Sequence, residues 1–238
     1  MAASSGKTTS TYLDFNAIDK SMVCHRSELF TISCGTVTLD LAASKVLLIF
    51  NERLGIYQLP KGRKNIGEGL IDAAIRETYE ETGYRVKPLH LVVQTRATMP
   101  SASDDDRASM SLSLPESNKG PLDKPAEGND GDKGIVGRGR PEVIRNIANA
   151  EPLALCTYPD PQTSSPVPVL KMVFYYAAVL EEPGAKPDAG AQEEHETLRS
   201  LWATASTARE LLRFKADAAA MMKAFADAKA TGHKITLS

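Results

Sequence analysis

The sequence contains few cysteines, and the three present, Cys24, Cys34 and Cys156, form no CxxC pair. An odd set of widely spaced cysteines that builds no Cys/His cluster argues against a disulfide framework and against a zinc site. Because free thiols persist in reducing compartments, we expect a cytoplasmic or nuclear protein.

The chain also lacks an excess of charge of one sign, since its formal net charge is −2. Without a global basic field, a nucleic-acid partner is not expected, and any anion site must be local. No apolar stretch, Val46–Phe50 included, approaches the roughly 20 residues of a membrane-spanning helix, so no membrane partner is expected. The N-terminal residues have no apolar signal-peptide core, and we expect a secreted effector only if a signal has been removed.

What remains is an ordinary globular composition over 238 residues, with 42% hydrophobic and 24% charged residues. Residues 1–16 are small and polar, which predicts a flexible N-terminus. We expect one domain over 17–238, with an inserted loop at about 100–150 that is rich in Gly, Pro, Asp and Lys. Composition does not indicate the oligomeric state.

The pattern of apolar residues predicts both strands and helices. Strands are expected at Phe30–Leu39, Lys45–Asn51, Tyr84–Arg96, Leu170–Leu180 and Leu198–Ala203, with ordered structure resuming at Pro152–Tyr158. Helices are expected at Gly69–Thr82, Thr204–Leu212 and Phe214–Ala230, the first of them ending at Gly83. Together these elements predict an α/β protein, an α/β/α sandwich with a mixed sheet.

The stretch Gly62–Tyr84, GRKNIGEGLIDAAIRETYEETGY, carries the most informative spacing. A buried helical stripe is predicted at Ile71, Ala74, Ile75 and Thr78. Three carboxylates, those of Glu77, Glu80 and Glu81, are predicted to converge on a neighbouring face. Crowded carboxylates repel one another unless a cation sits among them, and such oxygen ligands suit Mg²⁺ or Mn²⁺. Taken alone, the hexamer RETYEE could equally be the solvated face of an amphipathic helix.

The full spacing, G-x5-E-x7-R-E-T-x-E-E-x-G-Y, resembles the Nudix box, a signature of hydrolases that cleave diphosphate linkages. One position departs from the family pattern, because Thr78 stands where an apolar residue is usual. The Thr methyl group and its ability to bond back to a helix carbonyl predict a slightly looser contact and intact chemistry. The resemblance implies the Nudix α/β/α fold.

The resemblance also implies a role for each matching position. Divalent ions would be bound by Glu77, Glu80 and Glu81 together with the carbonyl of Gly62, and one of the three glutamates would deprotonate or orient the attacking water. Arg76 would pair with a carboxylate of the box and fix its rotamer, Glu68 would anchor the loop to the helix, and Gly83 would end the helix. Further candidates for the general base are Glu193, Glu194 and Glu196, which could also form an ordinary solvated acidic loop.

Substrate residues have to come from outside the signature. Candidate phosphate-binding cations are Arg26, Arg53, Lys61, Arg63, Lys64 and Lys171. Three of them fall within four residues, which favours a clamp on a small polyanionic substrate, although a solvated loop would look the same. The segment LPKGRKNIGEG is similar to the fungal diphosphoinositol polyphosphate phosphohydrolases, which implies Mg²⁺-dependent hydrolysis of inositol pyrophosphates and a role in phosphate signalling.

Three alternatives stay open. Dinucleoside polyphosphates or capped RNA fit less well, because the tyrosine that such enzymes often carry beyond the box is absent between Tyr84 and Tyr158. Pro100 lies where ADP-ribose and nucleotide-sugar hydrolases often carry a proline, and Arg138–Arg140 could reach an anionic ligand. A non-catalytic ligand sensor on the same fold is the alternative of another class, and retention of all the box carboxylates counts against it.

Overall fold

The computed structural model describes residues 13–97, 148–160, 167–188, 190 and 198–236. The helices are α1 (Phe15–Ser21), a short 3₁₀ helix (Ser27–Leu29), α2 (Leu70–Thr82), α3 (Ala205–Leu211) and α4 (Lys215–Ala230). The strands are β1 (Phe30–Asp40), β2 (Lys45–Asn51), β3 (Ile56–Gln58), β4 (Lys61–Arg63), β5 (Val86–Pro88), β6 (Ala154–Pro159), β7 (Leu170–Leu180) and β8 (Leu198–Thr204).

The eight strands form one mixed sheet around β1. The main strand order is β3-β2-β1-β7-β5, with β4 beside β1, β6 beside β7 and β8 beside β2. The two longest strands, β1 and β7, run parallel from Phe30 opposite Leu170 to Thr38 opposite Ala178, while the other pairs are antiparallel. The predicted mixed sheet is therefore confirmed.

Helices cover both faces of this sheet. Side chains alternate between the two faces along each strand, so neighbouring residues of one strand contact different helices. On one face, Tyr176 packs in a small cluster with Cys34 and the α2 residues Ala73 and Ala74. On the other face, Tyr175 belongs to the main core, which includes side chains of α3 and α4. The predicted α/β/α layers are thus confirmed.

The buried stripe of α2 differs slightly from the predicted one. Ala74 and Thr78 are fully buried as predicted, but Ala73 is buried with them, whereas Ile71 and Ile75 are only partly buried. The predicted end of the helix is confirmed: Gly83 has a φ of 73°, and its N–H bonds to the Tyr79 carbonyl at 2.7 Å. A positive φ of this size is readily adopted only by glycine.

One predicted boundary is wrong. The strand expected over Tyr84–Arg96 is confined to Val86–Pro88, and beyond it Leu91 pairs with Asn149 in an isolated β-bridge instead of continuing along β7. The inserted loop predicted at about 100–150 falls mostly outside the described residues, and at its end Ala148 is buried and Asn149 is the bridge partner of Leu91.

The described part of the chain begins near the end of the predicted N-terminal segment. Helix α1 begins at Phe15, inside the segment expected to be flexible, and the Asp14 side chain caps it by accepting a hydrogen bond from the Ala17 N–H at 3.0 Å. Residues 1–12 lie outside the described part of the chain. Within the described ranges, no helix has the length and apolar character needed to span a bilayer.

Candidate active site

Helix α2 is held against strand β4 by contacts to successive backbone positions of that strand. The Lys61 N–H donates to Oε2 of Glu81 at 2.6 Å. At the next residue, Gly62, a Cβ atom would collide with the carboxylate of Glu77. Glycine at position 62 therefore lets the Glu77 carboxylate lie directly on the backbone of the strand, a close approach that no other residue permits.

Arg76 donates hydrogen bonds to three carboxylates of the signature, those of Glu68, Glu77 and Glu80. Its Nε and Nη2 donate to the two oxygens of Glu68 at 2.7 and 2.9 Å, and its Nη1 donates to Glu77 and Glu80, each at 2.7 Å. Nη2 also donates to the Arg63 carbonyl at 2.9 Å. The expected pairing of Arg76 with box carboxylates and the anchoring of the loop through Glu68 are both present in this geometry.

These contacts shift the ionisation of the groups involved. Hydrogen bonds from Arg76 lower the pKa of Glu68 to about 2, and the bond that Glu68 accepts from the Asn65 N–H acts in the same direction. The same carboxylates raise the pKa of Arg76, the bond to Glu68 being the largest cause. Arg76 therefore stays charged and fixed in place.

The three carboxylates predicted to bind metal, those of Glu77, Glu80 and Glu81, contact different neighbours in this structure. Among the described residues, no three His, Cys, Asp or Glu side chains stand close enough together to hold a metal ion. The cation that lies between Glu77 and Glu80 is the Arg76 guanidinium. The Glu80 side chain is 41% exposed, whereas Glu81 is a buried residue and faces the other way, toward β4.

Thr78, the departure from the Nudix pattern, is accommodated by a chain of buried hydroxyl groups. Its Oγ1 donates to the Ala74 carbonyl at 2.8 Å and shares a 2.8 Å hydrogen bond with Thr36. The hydroxyl of Thr36 is in turn 2.7 Å from that of Thr38. The predicted back-bond to a helix carbonyl is confirmed, and the polar atom is satisfied inside the fold.

A cavity of about 910 Å³ opens beside the α2–β4 junction. Glu77, Glu81 and Gly62 all line it. Its basic residues are Arg53, Lys61, Arg63, Lys171 and Lys215, and its acidic residues are Glu77, Glu81, Asp160 and Asp217. The carboxylates of the box and most of the predicted phosphate-binding cations therefore share one space.

The cations of the cavity are close enough to influence one another. Burial lowers the pKa of Lys171, and the neighbouring charge of Lys61 adds to that effect, followed by Arg63, while Asp160 opposes it. Arg63 lies 3.7 Å from Asp160, whose side chain is fully buried. An anionic ligand placed among these cations would relieve their mutual repulsion.

Two of the predicted substrate-binding cations are not brought to the cavity. Arg26 pairs with Glu28 at 3.0 Å on the exposed surface, and the Lys64 amino group donates to the Asn65 carbonyl at 2.8 Å. Neither residue is among those that line the cavity. The remaining candidates from the sequence, Glu193, Glu194, Glu196, Pro100 and Arg138–Arg140, lie outside the described residues.

Several cavity residues are not identifiable from the sequence signature. They are Tyr158, Asp160, Phe214, Lys215 and Asp217, which lie on or beside β6 and at the start of α4. In the sequence, each of them is only a polar or aromatic residue near the end of a strand or the start of a helix. Such residues are too common at these places to indicate a binding site. Strand pairing and helix packing bring them to the box.

Asp217, like Asp160, is buried. Its Oδ1 accepts a hydrogen bond from the Tyr175 hydroxyl at 2.9 Å, and both residues are nearly inaccessible. Burial raises the pKa of Asp217, while the bond from Tyr175 partly opposes that shift. This pair joins α4 to β7 at the cavity wall.

The donor set of the cavity is compatible with a hard divalent cation. Glu77 and Glu81 supply carboxylate oxygens four residues apart on one helix face, and the missing side chain of Gly62 opens the strand backbone beside them. Glu80 is not among the residues that line the cavity, so the fit rests on Glu77 and Glu81 and not on all three predicted ligands.

Comparison with known proteins identifies the domain type. Residues 35–133 match the family model described as "NUDIX domain". Similar solved structures include a NUDIX hydrolase from Nitrosomonas europaea (TM-score 0.45, 12% identity, 87% of this chain and 93% of that chain covered). A second is a C. elegans Ap4A hydrolase, with a TM-score of 0.44, 15% identity, and 81% of this chain and 93% of that chain covered. A third is the E. coli dihydroneopterin triphosphate pyrophosphohydrolase, with a TM-score of 0.43, 11% identity, and 82% of this chain and 96% of that chain covered. Likeness at these values does not indicate a substrate. Residues 35–133 therefore match a NUDIX domain, and the mixed sheet with helices on both faces is the α/β Nudix fold.

Proposed function

We propose that this protein is a phosphohydrolase that cleaves a diphosphate linkage in a small polyanionic substrate, with Mg²⁺ or Mn²⁺ as cofactor. The observation that carries the proposal is the meeting of Glu77, Glu81 and Gly62 with five basic side chains in one cavity. Neither group alone would distinguish a catalytic site from a solvated surface. Their juxtaposition matches what hydrolysis of a phosphoric anhydride requires.

In this reaction the oxygen of a water molecule bonds to phosphorus, the bridging P–O bond breaks, and a phosphate leaves with the electron pair. Glu77 and Glu81 would hold a divalent ion, which would screen the charge of the substrate and lower the pKa of the attacking water. Arg76 holds Glu77 in its rotamer, and the Lys61 N–H holds Glu81. A box glutamate accepts the proton of the water, and Glu193, Glu194 and Glu196 remain candidates for the same role.

The charge balance of the cavity supports a substrate with several phosphates. A divalent ion on Glu77 and Glu81 would offset their charge and leave five basic residues facing only Asp160 and Asp217. Arg and Lys bind phosphate by charge and hydrogen bonding. An inositol pyrophosphate, the substrate implied by the resemblance to the diphosphoinositol branch, is therefore the first candidate.

A dinucleoside polyphosphate is the second candidate, and a specific feature of the cavity favours it. Four exposed apolar residues, Leu54, Leu155, Tyr158 and Phe214, line the same space as the cations. A ligand that carries both phosphates and an apolar ring would use both kinds of wall. ADP-ribose is retained for comparison, because Pro100, on which that alternative rests, lies outside the described residues.

The test is a side-by-side Mg²⁺-dependent assay of the purified chain on a diphosphoinositol polyphosphate, a dinucleoside polyphosphate and ADP-ribose. Turnover of any of the three supports a phosphohydrolase, and the ranking of kcat/KM identifies the substrate class. Binding of these compounds without any turnover would overturn the proposal and favour the non-catalytic sensor.

A further inference from the structure

The carboxyl group of Asp217 lies in the cavity wall with one of its oxygens satisfied and the other not. Oδ1 accepts the hydrogen bond from the Tyr175 hydroxyl at 2.9 Å. Oδ2 is buried and has no hydrogen-bond partner among the described residues. Asp217 as a whole is only 5% exposed, and it lines the cavity. Because a buried oxygen without a partner is costly, we expect a donor to reach Oδ2 from within the cavity.

The first turn of α4 and the contact with β7 fix the position of this carboxyl group. Asp217 is the third residue of α4, where the positive end of the helix dipole favours an anionic side chain. The hydroxyl of Tyr175, a residue that is itself almost inaccessible, holds Oδ1 and restricts rotation of the carboxyl group. Oδ2 is therefore a fixed acceptor, as is typical of the few polar groups that orient a ligand in a cavity.

The surroundings of Asp217 disfavour most kinds of donor. Burial, and after it the charge of Asp217, raises the pKa of Cys156 and of Tyr158 on β6, so both lie nearby, yet neither donates to Oδ2. From β4 the charge of Lys61 acts on Asp217, and Lys215 lines the same cavity. These two lysines would repel a cationic ligand group. The carboxylate itself would repel a phosphate, which has only acceptor oxygens when ionised.

We propose that Asp217 is a specificity-determining residue that accepts, at Oδ2, a hydrogen bond from a free hydroxyl group on the carbon skeleton of the phosphorylated substrate. The inference rests on the proposed function and narrows its substrate class. A hydroxyl group is a neutral donor, and a carboxylate binds it more strongly than a neutral acceptor would. A polyol with phosphate on every carbon has no such group and would place a phosphate against Asp217. The preferred substrate therefore carries phosphates for the cations and at least one unsubstituted hydroxyl group.

The test is calorimetric titration of the intact chain and of Asp217→Asn in EDTA, where metal-dependent turnover does not occur. Asparagine keeps the shape and the bond from Tyr175, but it presents an N–H where Oδ2 lies. One ligand pair is a diphosphoinositol tetrakisphosphate, with one ring hydroxyl free, and diphosphoinositol pentakisphosphate, with none. The other pair is ADP and its 2′,3′-dideoxy analogue.

The quantity compared is the affinity for the hydroxyl-bearing ligand divided by the affinity for its hydroxyl-free partner. In the variant this ratio should fall about 5-fold for one ligand pair, because a charge-assisted hydrogen bond is lost. The pair that responds identifies the hydroxyl as that of a cyclitol ring or of a sugar. Taking a ratio removes the general gain in anion binding that follows from the loss of one negative charge.

Asp227→Asn is the matched control, because Asp227 is also a buried carboxylate of α4 but pairs with Lys223 and does not line the cavity. Its ratios should equal those of the intact chain. If circular dichroism shows Asp217→Asn unfolded, the double variant Tyr175→Phe/Asp217→Leu takes its place, since it replaces both buried partners by apolar groups. Ratios that stay unchanged for both ligand pairs in the folded variant would overturn the inference.

The same measurement separates this inference from the proposed function, because binding in EDTA requires no turnover. If the ratio falls while the Mg²⁺-dependent assay shows no hydrolysis of any anhydride, the proposed hydrolysis fails and the hydroxyl site stands. If hydrolysis occurs and the ratio is the same in both proteins, the hydroxyl site fails and the hydrolase stands.

Discussion

Arg76 and Glu68 are joined at two points, with Nε to Oε1 at 2.7 Å and Nη2 to Oε2 at 2.9 Å. This two-point contact ties the loop before α2 to the helix, eight residues further along the chain. It also orients the guanidinium so that Nη1 reaches Glu77 and Glu80. The precision of the candidate site therefore depends on a pair that lies beside the cavity and not within it.

Glu68→Gln should change the acid stability of the protein. The folded pKa of Glu68 is about 2, below the ordinary value of 4.5, so its contribution is complete above pH 4.5 and is lost as the pH falls toward 2. The free energy of unfolding of the original chain should exceed that of the variant at neutral pH, and the difference should shrink over this window. Urea unfolding at a series of pH values measures it.

The matched control for that experiment is Glu28→Gln. Glu28 pairs with Arg26 on the exposed surface, where an ion pair contributes little. If Glu28→Gln produced the same pH-dependent loss as Glu68→Gln, the contact with Arg76 would not be its cause.

Arg76→Lys should lower turnover about 10- to 100-fold with the charge retained, a typical effect of losing a residue that orients a metal-binding side chain. Lysine presents a point charge and cannot contact Glu68, Glu77 and Glu80 together as the planar fork does. Arg85→Lys is the control, because Arg85 forms an exposed pair with Asp188. Equal kcat values for the two variants would show that orientation by Arg76 does not matter.

The sequence pattern predicted those parts of the fold that depend on the spacing of apolar residues and on the backbone preferences of single residues. The stripe of α2, its end at Gly83 and the long apolar strand Leu170–Leu180 follow from spacing and backbone preference. The strands β3 and β4 were not predicted, since three residues are too few for a periodic signal. Strand β4 nevertheless supplies the backbone contacts of Glu77 and Glu81.

Only those residues of the candidate site that belong to the Nudix-like signature could be placed together from the sequence. Sequence spacing placed Glu77, Glu80 and Glu81 on one region of a helix, but it could not show that Glu80 faces Arg76 while Glu81 faces the Lys61 N–H. That distinction depends on where β4 lies relative to α2. Lys215 and Phe214 were missed because about 130 residues separate them from the box, and only tertiary packing brings them there.

Thr78→Val should destabilise the protein by about 1 kcal/mol and leave turnover nearly unchanged. Valine fills the same space but removes the hydroxyl that bonds to Ala74 and Thr36. Chemical denaturation gives the stability change, and a steady-state assay gives kcat. A large loss of kcat would contradict the view that this departure from the family pattern is purely structural.

Substrate occupancy of the cavity should protect Cys156 from alkylation. Cys156 lines the cavity, Cys24 is exposed, and burial raises the pKa of Cys34 to about 11. Iodoacetamide should therefore label Cys24 first, Cys156 slowly and Cys34 only after unfolding. Addition of ADP should slow labelling of Cys156 alone, as followed by mass spectrometry. Unchanged labelling of Cys156 at saturating ADP would place the ligand elsewhere.

The most direct test of the proposed hydrolase is the Mg²⁺-dependent kcat of Glu81→Gln, measured beside Glu80→Gln on the best substrate of the intact chain. Glu81 lines the cavity and Glu80 does not, so Glu81→Gln should lower kcat by about 10²- to 10⁴-fold and Glu80→Gln by clearly less. Circular dichroism should show both variants folded. Turnover by folded Glu81→Gln equal to that of the intact chain would contradict the assignment of this cavity as the catalytic site.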